Sequence, residues 1–290
     1  MKEIDRRDFL KAVAFGGAIL GFADALLDKP PEAVASTGQV EVLWLGHSTT
    51  RITSVAGKVI VIDPFLVKNP TTPEKYRDLK ALGKVDLILV THGHSDHARD
   101  LPELARITNA TVVSNFEYML QLKKLGLISA EKGIAMNKGG TVTPIGRDIK
   151  IHMVPAEHSS SVDLPSLGLL RPEAHAPRVL DGGVPIGYVM ELENGFKIYH
   201  SGDTDVFGDM VLINKFYRPD LAMVSIGGHF TMDPVHAAYA LRELIRPKQV
   251  IGIHYGTYPV INRTPAELKA ALGDAPIEVL DLKPGQPLKF

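Results

Sequence analysis

The sequence predicts an α/β protein, and three observations carry that prediction. Short runs rich in β-branched and other apolar residues recur from Val40 onward, several of them closed by Gly, Pro or Asp. Segments with the 3.6-residue apolar spacing of helices stand between some of these runs. The composition is that of a globular chain, 45% hydrophobic and 22% charged over 290 residues. These values exclude disordered, collagenous and coiled-coil classes, and the length is enough to bury a sizeable core.

In chain order, residues 40–45 run into Gly46-His47, residues 59–62 into Asp63-Pro64, and residues 86–91 into a histidine cluster. Each reads as a buried strand feeding a loop. Further strands are expected at 111–113, 149–154, 186–191, 197–200, 221–225, 250–253 and 277–280. Helical spacing appears over 116–123. It is clearer over 234–245, where Pro234 suits a first turn and Ala237, Ala238, Leu241, Leu244 and Ile245 share a face. Residues 265–272 follow Thr264, a good N-cap type. No internal repeat of solenoid period occurs. Residues 159–185 resist assignment. They hold three consecutive serines, four prolines and Gly182-Gly183. A segment of that length without its own structure is usually functional or disordered.

The first 35 residues follow a different plan. A charged start contains Arg6-Arg7, residues 12–23 carry no charge, and Ala33-Val34-Ala35 is a small-residue triplet. That order is the layout of a secretory signal. Arg6-Arg7-Asp8-Phe9-Leu10-Lys11 resembles the twin-arginine export motif, although Asp5 stands where Ser or Thr is more usual. The apolar run is short against the roughly 20 residues of a membrane span. The resemblance implies a twin-arginine-like signal over 1–35, recognition by an export machinery, and a periplasmic or other extracytoplasmic destination. No stable membrane insertion is expected after cleavage.

The chain has no cysteine. Disulfides, thiolate zinc sites, iron–sulfur clusters, a cysteine nucleophile and a lipidated cysteine are therefore excluded. With 32 basic and 33 acidic residues, no broad electrostatic surface for nucleic acid is expected.

The chemical signal lies at His92-Gly93-His94-Ser95-Asp96-His97. Four potential ligands occur within six positions, directly after an expected strand. Strand ends and the loops that follow let side chains converge on one point. Imidazole and carboxylate are good ligands for zinc and similar ions. Packing alone does not account for three histidines and an aspartate at this density.

His92-x-His94-x-Asp96-His97 resembles the H-x-H-x-D-H signature of the metallo-β-lactamase superfamily. Three further ligands of that superfamily have counterparts in the expected order: His158 after the strand at 149–154, Asp203 after 197–200, and His254 after 250–253. Gly46-His47-Ser48, Asp63-Pro64-Phe65, Ala156-Glu157-His158-Ser159, Gly202-Asp203-Thr204, Gly227-Gly228-His229-Phe230-Thr231-Met232 and His254-Tyr255-Gly256-Thr257 are similar to the metal-dependent hydrolase branch. That branch is related to ascorbate-6-phosphate lactonase and to the phospholipase D acting on N-acyl-phosphatidylethanolamine.

The resemblance implies a four-layer αββα sandwich, with one hydrolase domain over 36–290. It implies that His92, His94 and His158 hold one metal ion, that Asp96, His97 and His254 hold a second, and that Asp203 bridges both. Two divalent ions ~3.5–4 Å apart lower the pKa of a shared water toward ~7. Zinc is the expected metal, and the donor set also suits manganese, iron or nickel. Asp96 and His229 are the expected catalytic residues. The first would accept a proton, and the second would donate a hydrogen bond or proton to a small-molecule substrate. Lactone, amide and phosphodiester groups all remain open, with a redox or non-catalytic binding member of the same fold as the alternative.

Other polar residues have expected supporting roles. His47 and His200 support ligands, and Asp63 hydrogen-bonds a ligating imidazole. His236 falls on a helix surface, His152 alternates within a strand, and His175 lies in the long loop.

Overall fold

The computed structural model describes residues 38–167 and 179–290. The signal expected over 1–35, and His175 with the middle of the long segment, lie outside the described residues. No helix among the described residues is long and apolar enough to cross a membrane.

The first half of the chain builds one sheet. Its strands are β1 (Glu41–Trp44), β2 (Thr50–Thr53), β3 (Val59–Ile62), β4 (Leu87–Leu89), β5 (Thr111–Asn115) and β6 (Gly133–Met136). Between them lie α1 (Glu74–Arg77), α2 (Ser95–Ala98), α3 (Leu101–Thr108) and α4 (Phe116–Lys124). The second sheet is built from β7 (Thr141–Val142), β8 (Lys150–Pro155), β11 (Ile186–Glu191), β12 (Lys197–His200), β13 (Leu221–Ser225), β14 (Gln249–Ile253) and β15 (Glu278–Val279). Its helices are α5 (Met210–Phe216), α6 (Pro234–Tyr239) and α7 (Pro265–Leu272). A final strand, β16 (Pro287–Lys289), returns to β1. The first sheet has the order β16-β1-β2-β3-β4-β5-β6 and the second β15-β14-β13-β12-β11-β8-β7.

Burial explains why the strands read as nearly continuous apolar runs. In β3, Ile60 and Ile62 face the core between the sheets, while Val59 and Val61 face the core under α3 and α4. In β13, Leu221 and Met223 face the other sheet, while Ala222 and Val224 pack with residues of α5, α6 and α7. Strands with two buried faces need apolar residues at both parities. The helices place Leu101, Leu104, Met119 and Leu122 on one outer face, and Met210, Ile213, Ala237 and Leu268 on the other. The result is the four-layer αββα sandwich. Tyr188 on β11 ties the sheets together, its hydroxyl donating to Val90 O at 3.0 Å and Val113 O at 3.2 Å.

The helix starts follow local chemistry. Asn115 caps α4 by accepting from the Tyr118 N–H at 2.8 Å. Thr264 and Glu267 form a reciprocal capping box on α7. The helix expected over 234–245 is present along its whole length, but its second half, Ala240–Ile245, is a π-helix.

The segment expected to be without structure contains a two-stranded ribbon. Here β9 (Ser161–Asp163) pairs with β10 (Val179–Asp181), with Ser161 opposite Asp181. The ribbon is held at both ends. Ser160 Oγ accepts from the Gly93 N–H at 3.2 Å, and Asn115 Nδ2 donates to Gly182 O and Val184 O at 2.8 and 2.9 Å.

Candidate metal centre

The strands β3 to β6 run parallel, as do β12 to β15. Their carboxyl ends open into one crevice, where ligands of open α/β sheets commonly bind. Asp63 follows β3, and the cluster His92–His97 follows β4. His158 follows β8, Asp203 follows β12 and His254 follows β14. Asp63 and His254 hold positive φ, at 49° and 54°. Non-glycine residues pay ~1–3 kcal/mol for that conformation, and it persists where the surroundings over-determine it. Gly202 has φ 61°, and a Cβ there would come within 2.7 Å of Ile186 O and 2.9 Å of Thr91 Cβ. Only glycine lets the main chain pass so close and turn Asp203 inward.

The seven expected ligands converge. His92 Nε2 and His94 Nδ1 are 2.9 Å apart, and ligand atoms of His92, His94 and His158 lie within 4.8 Å of one another. His92, His97 and Asp203 form a second such group, and His47, Asp96, His97 and His254 a third. Asp203 Oδ2 lies 3.0 Å from His254 Nε2, 3.2 Å from His97 Nε2 and 3.6 Å from His158 Nε2. Asp96 Oδ2 lies 3.1 Å from His47 Nε2 and 3.9 Å from His254 Nε2.

A network behind the centre aims two of the imidazoles. Thr91 donates both its N–H and its hydroxyl to Asp63, each at 2.8 Å. Having given its proton to Asp63, the Thr91 hydroxyl accepts from His92 Nδ1 at 3.1 Å. His97 Nδ1 donates to Asp63 Oδ2 at 2.8 Å. Both rings therefore hold Nδ1 outward and direct Nε2 inward. His200 acts on the backbone: Nδ1 accepts from the Gly202 N–H at 3.1 Å, and Nε2 donates to Ser48 O at 3.2 Å. That contact fixes the turn bearing Asp203. The supporting roles expected of Asp63 and His200 have this geometry.

The electrostatics fit a cation-binding centre. Burial opposes the charge on Asp203, but the imidazoles of His254 and His97 outweigh it and hold the carboxyl well below its usual range. Asp96 is likewise held low despite burial, by the imidazoles of His254 and His47 beside it. Burial also opposes protonation of His254, yet Asp203 raises it to about 9. His97 is raised for the same reason, by Asp203 and Asp63 against burial. Burial pushes His92 well below its ordinary value and lowers His94 and His158.

Whether these residues suit a metal is decided by their unsatisfied nitrogens. His97 Nε2 and both ring nitrogens of His254 are buried without a hydrogen bond of acceptable geometry. Buried polar atoms left unpaired cost ~1–3 kcal/mol each. His97 Nε2 and His254 Nε2 both stand beside Asp203 Oδ2, at 3.2 and 3.0 Å, where a shared cation would satisfy them, and the all-nitrogen-and-oxygen donor set matches zinc, manganese, iron or nickel.

The centre opens into a cavity of about 260 Å³ lined by His94, Asp96, His158, Ser159, Asp203, Phe230 and His254. Asp96 is thus both a member of the centre and a wall of the cavity. His229 falls outside the donor groups: it is exposed, has φ 58°, and lies edge-on to Phe230 at 4.4 Å. Sequence patterns assign no separate role to Phe230, which stands beside His229 in one family-like segment, or to Thr257, which ends another and holds His47 Nδ1 at 2.9 Å. His236 is exposed on α6, and His152 is buried on β8 with Nδ1 2.8 Å from Thr141 Oγ1.

Comparison with known proteins shows the family. Residues 58–255 match the family described as β-lactamase superfamily domain. The UPF0173 metal-dependent hydrolase of Cupriavidus necator is 50% identical, over 90% of this chain and 89% of its own. The one from Rubrobacter xylanophilus is 42% identical, over 87% of this chain and 97% of its own. Among solved structures, Igni18, a metallo hydrolase of the archaeon Ignicoccus hospitalis, is 33% identical with a TM-score of 0.73, covering 87% of this chain and 98% of its own. The chain belongs to the UPF0173 metal-dependent hydrolases of the metallo-β-lactamase superfamily.

Proposed function

We propose that the protein is a dinuclear metal hydrolase, with zinc as the expected metal, acting on a small molecule through attack of water on an acyl or phosphoryl centre. The observation that carries this reading is the position of Asp203 Oδ2. It lies within 3.6 Å of His158 on one side of the centre and of His97 and His254 on the other. One oxygen placed between two donor groups suits a shared ligand of two ions.

Bound there, two divalent ions would supply Lewis-acid polarisation of the scissile group and a lowered pKa for water. His92, His94 and His158 would hold one ion and Asp96, His97 and His254 the other, with Asp203 common to both. The protein's own part is positioning and proton transfer. Asp96 has 31% side-chain exposure against 3% for Asp203. Asp96 is therefore the carboxylate that can take a proton from the attacking water and return it to solvent or to the leaving group. Phe230, 54% exposed, gives the cavity an apolar side, and Ser159 offers a hydroxyl to orient the substrate.

Metal-replete protein assayed on a panel of lactones, amides and phosphodiesters, with Asp203→Ala beside it, tests this reading. Turnover that disappears in the variant supports it, and equal turnover in both overturns it. Export through the twin-arginine route is part of the same proposal, motivated by Arg6-Arg7 and the small-residue triplet ending at Ala35. Replacing Arg6 and Arg7 with lysine should retain the protein in the cytoplasm; unchanged fractionation would contradict it.

A further inference from the structure

His47 stands outside the seven residues of the expected ligand set, yet it has the features of that set. It is fully buried and sits at φ 53°. Its carbonyl accepts from Trp44 Nε1 at 2.8 Å and from the His254 N–H at 2.9 Å, so the main chain is clamped to the loop bearing a ligand. Nδ1 is 2.9 Å from Thr257 Oγ1, which has no other hydrogen bond among the described residues. Nε2 lies 3.1 Å from Asp96 Oδ2, and the ring centre is 4.0 Å from that of His254. Ligand atoms of His47, Asp96, His97 and His254 all lie within 4.8 Å of one another.

The orientation repeats that of neighbouring imidazoles. His92 and His97 turn Nδ1 outward, onto Thr91 and Asp63, and Nε2 inward. His47 turns Nδ1 onto Thr257 and Nε2 inward. A ring nitrogen tied behind the site is the usual condition of a metal-holding histidine. Two donors each ~2.0–2.2 Å from one ion stand ~3 Å apart or slightly more. The spacing between His47 Nε2 and Asp96 Oδ2 meets that requirement.

We propose that His47 is an eighth metal-holding residue, giving Nε2 to the ion on the Asp96, His97 and His254 side, with Thr257 orienting its ring. The inference rests on the dinuclear reading above. It makes the two sides of the centre unequal. The His47 side gains an extra nitrogen donor, so the position open to substrate lies on the His92, His94 and His158 side.

The test uses the protein labelled in histidine nitrogen and loaded with a magnetically active cadmium isotope. Each ligated imidazole nitrogen then shows a metal coupling in its nuclear resonance spectrum. Six coupled rings are expected: His47, His92, His94, His97, His158 and His254. In His47→Gln a polar side chain of similar reach stays beside Asp96 but is a poor ligand. One coupling should vanish, and one ion should bind more weakly by over ~10-fold while the other is unchanged. An uncoupled His47 in the wild-type protein overturns the proposal, and this outcome does not depend on the variant folding. Two ions held with unchanged affinity by folded His47→Gln overturn it as well. If the wild type binds a single ion, the dinuclear reading fails, whereas a coupled His47 still identifies it as a ligand.

Discussion

Asp63 Oδ2 lies 2.8 Å from His97 Nδ1, and the same carboxylate takes the hydroxyl proton of the threonine that braces His92. One buried side chain thus sets the tautomers of two imidazoles, each belonging to a different side of the centre. Asp63→Ala should therefore weaken binding at both sides. A loss of ~10–100-fold in metal affinity is expected, measured by chelator competition, with circular dichroism unchanged. A loss confined to one ion would contradict the shared bracing.

Metal binding should release protons at neutral pH. In the metal-free protein His254 is raised to about 9, so it carries a proton at pH 7.5 that a bound cation must displace. Its contribution to stability has the sign of a raised base. It is fully present below the unfolded value of 6.5 and is lost as pH rises through about 9. His47 has the opposite sign. Burial, with His254 beside it, lowers His47 to about 4, so its contribution is present above 6.5 and is lost as pH falls toward 4. Calorimetric zinc titration in buffers of different ionisation enthalpy should show at least one proton released per protein at pH 7.5. An enthalpy independent of buffer would contradict the ion pairing at Asp203.

Phe230 lines the cavity and is more than half exposed, so it contributes contact with substrate more than core packing. Phe230→Ala should leave stability within ~0.5 kcal/mol and metal content unchanged. It should raise KM for substrates with an apolar acyl group. Equal KM values in a steady-state comparison would remove Phe230 from the binding surface.

Tyr188 is fully buried, and its hydroxyl bonds two carbonyls of the opposite sheet. Tyr188→Phe keeps the ring and removes those bonds. A loss of ~0.5–1.5 kcal/mol in denaturant unfolding is expected, with the metal stoichiometry intact. A neutral result would mean that sheet packing alone holds this contact.

The legible parts of the sequence were those where one requirement dominated. Val59–Ile62 is buried on both faces, so its four apolar residues announced β3. The residues proposed to hold metal were legible because imidazole and carboxylate are rare at that density, and because each stands just past a strand. Other elements satisfy two requirements at once. In β2, Thr50 and Ile52 are buried while Arg51 and Thr53 are partly exposed, so a single apolar residue, Ile52, stands in place of a continuous apolar run. In α3, Pro102 occupies a permitted first-turn position but punctuates the sequence as a breaker does. The ribbon of β9 and β10 is held by contacts remote in sequence, from Gly93 and Asn115, which no local pattern reveals. The role of Thr257 was not legible because its partner, His47, lies 210 residues away.

The central claim is that Asp203 joins two metal sites. The most direct measurement is the metal-to-protein ratio, by elemental mass spectrometry, of zinc-reconstituted wild type and Asp203→Ala after extensive dialysis. The account predicts two ions per wild-type chain and loss of at least one, with turnover, in the variant. A single ion in the wild type, or two retained ions and full turnover in Asp203→Ala, would contradict it.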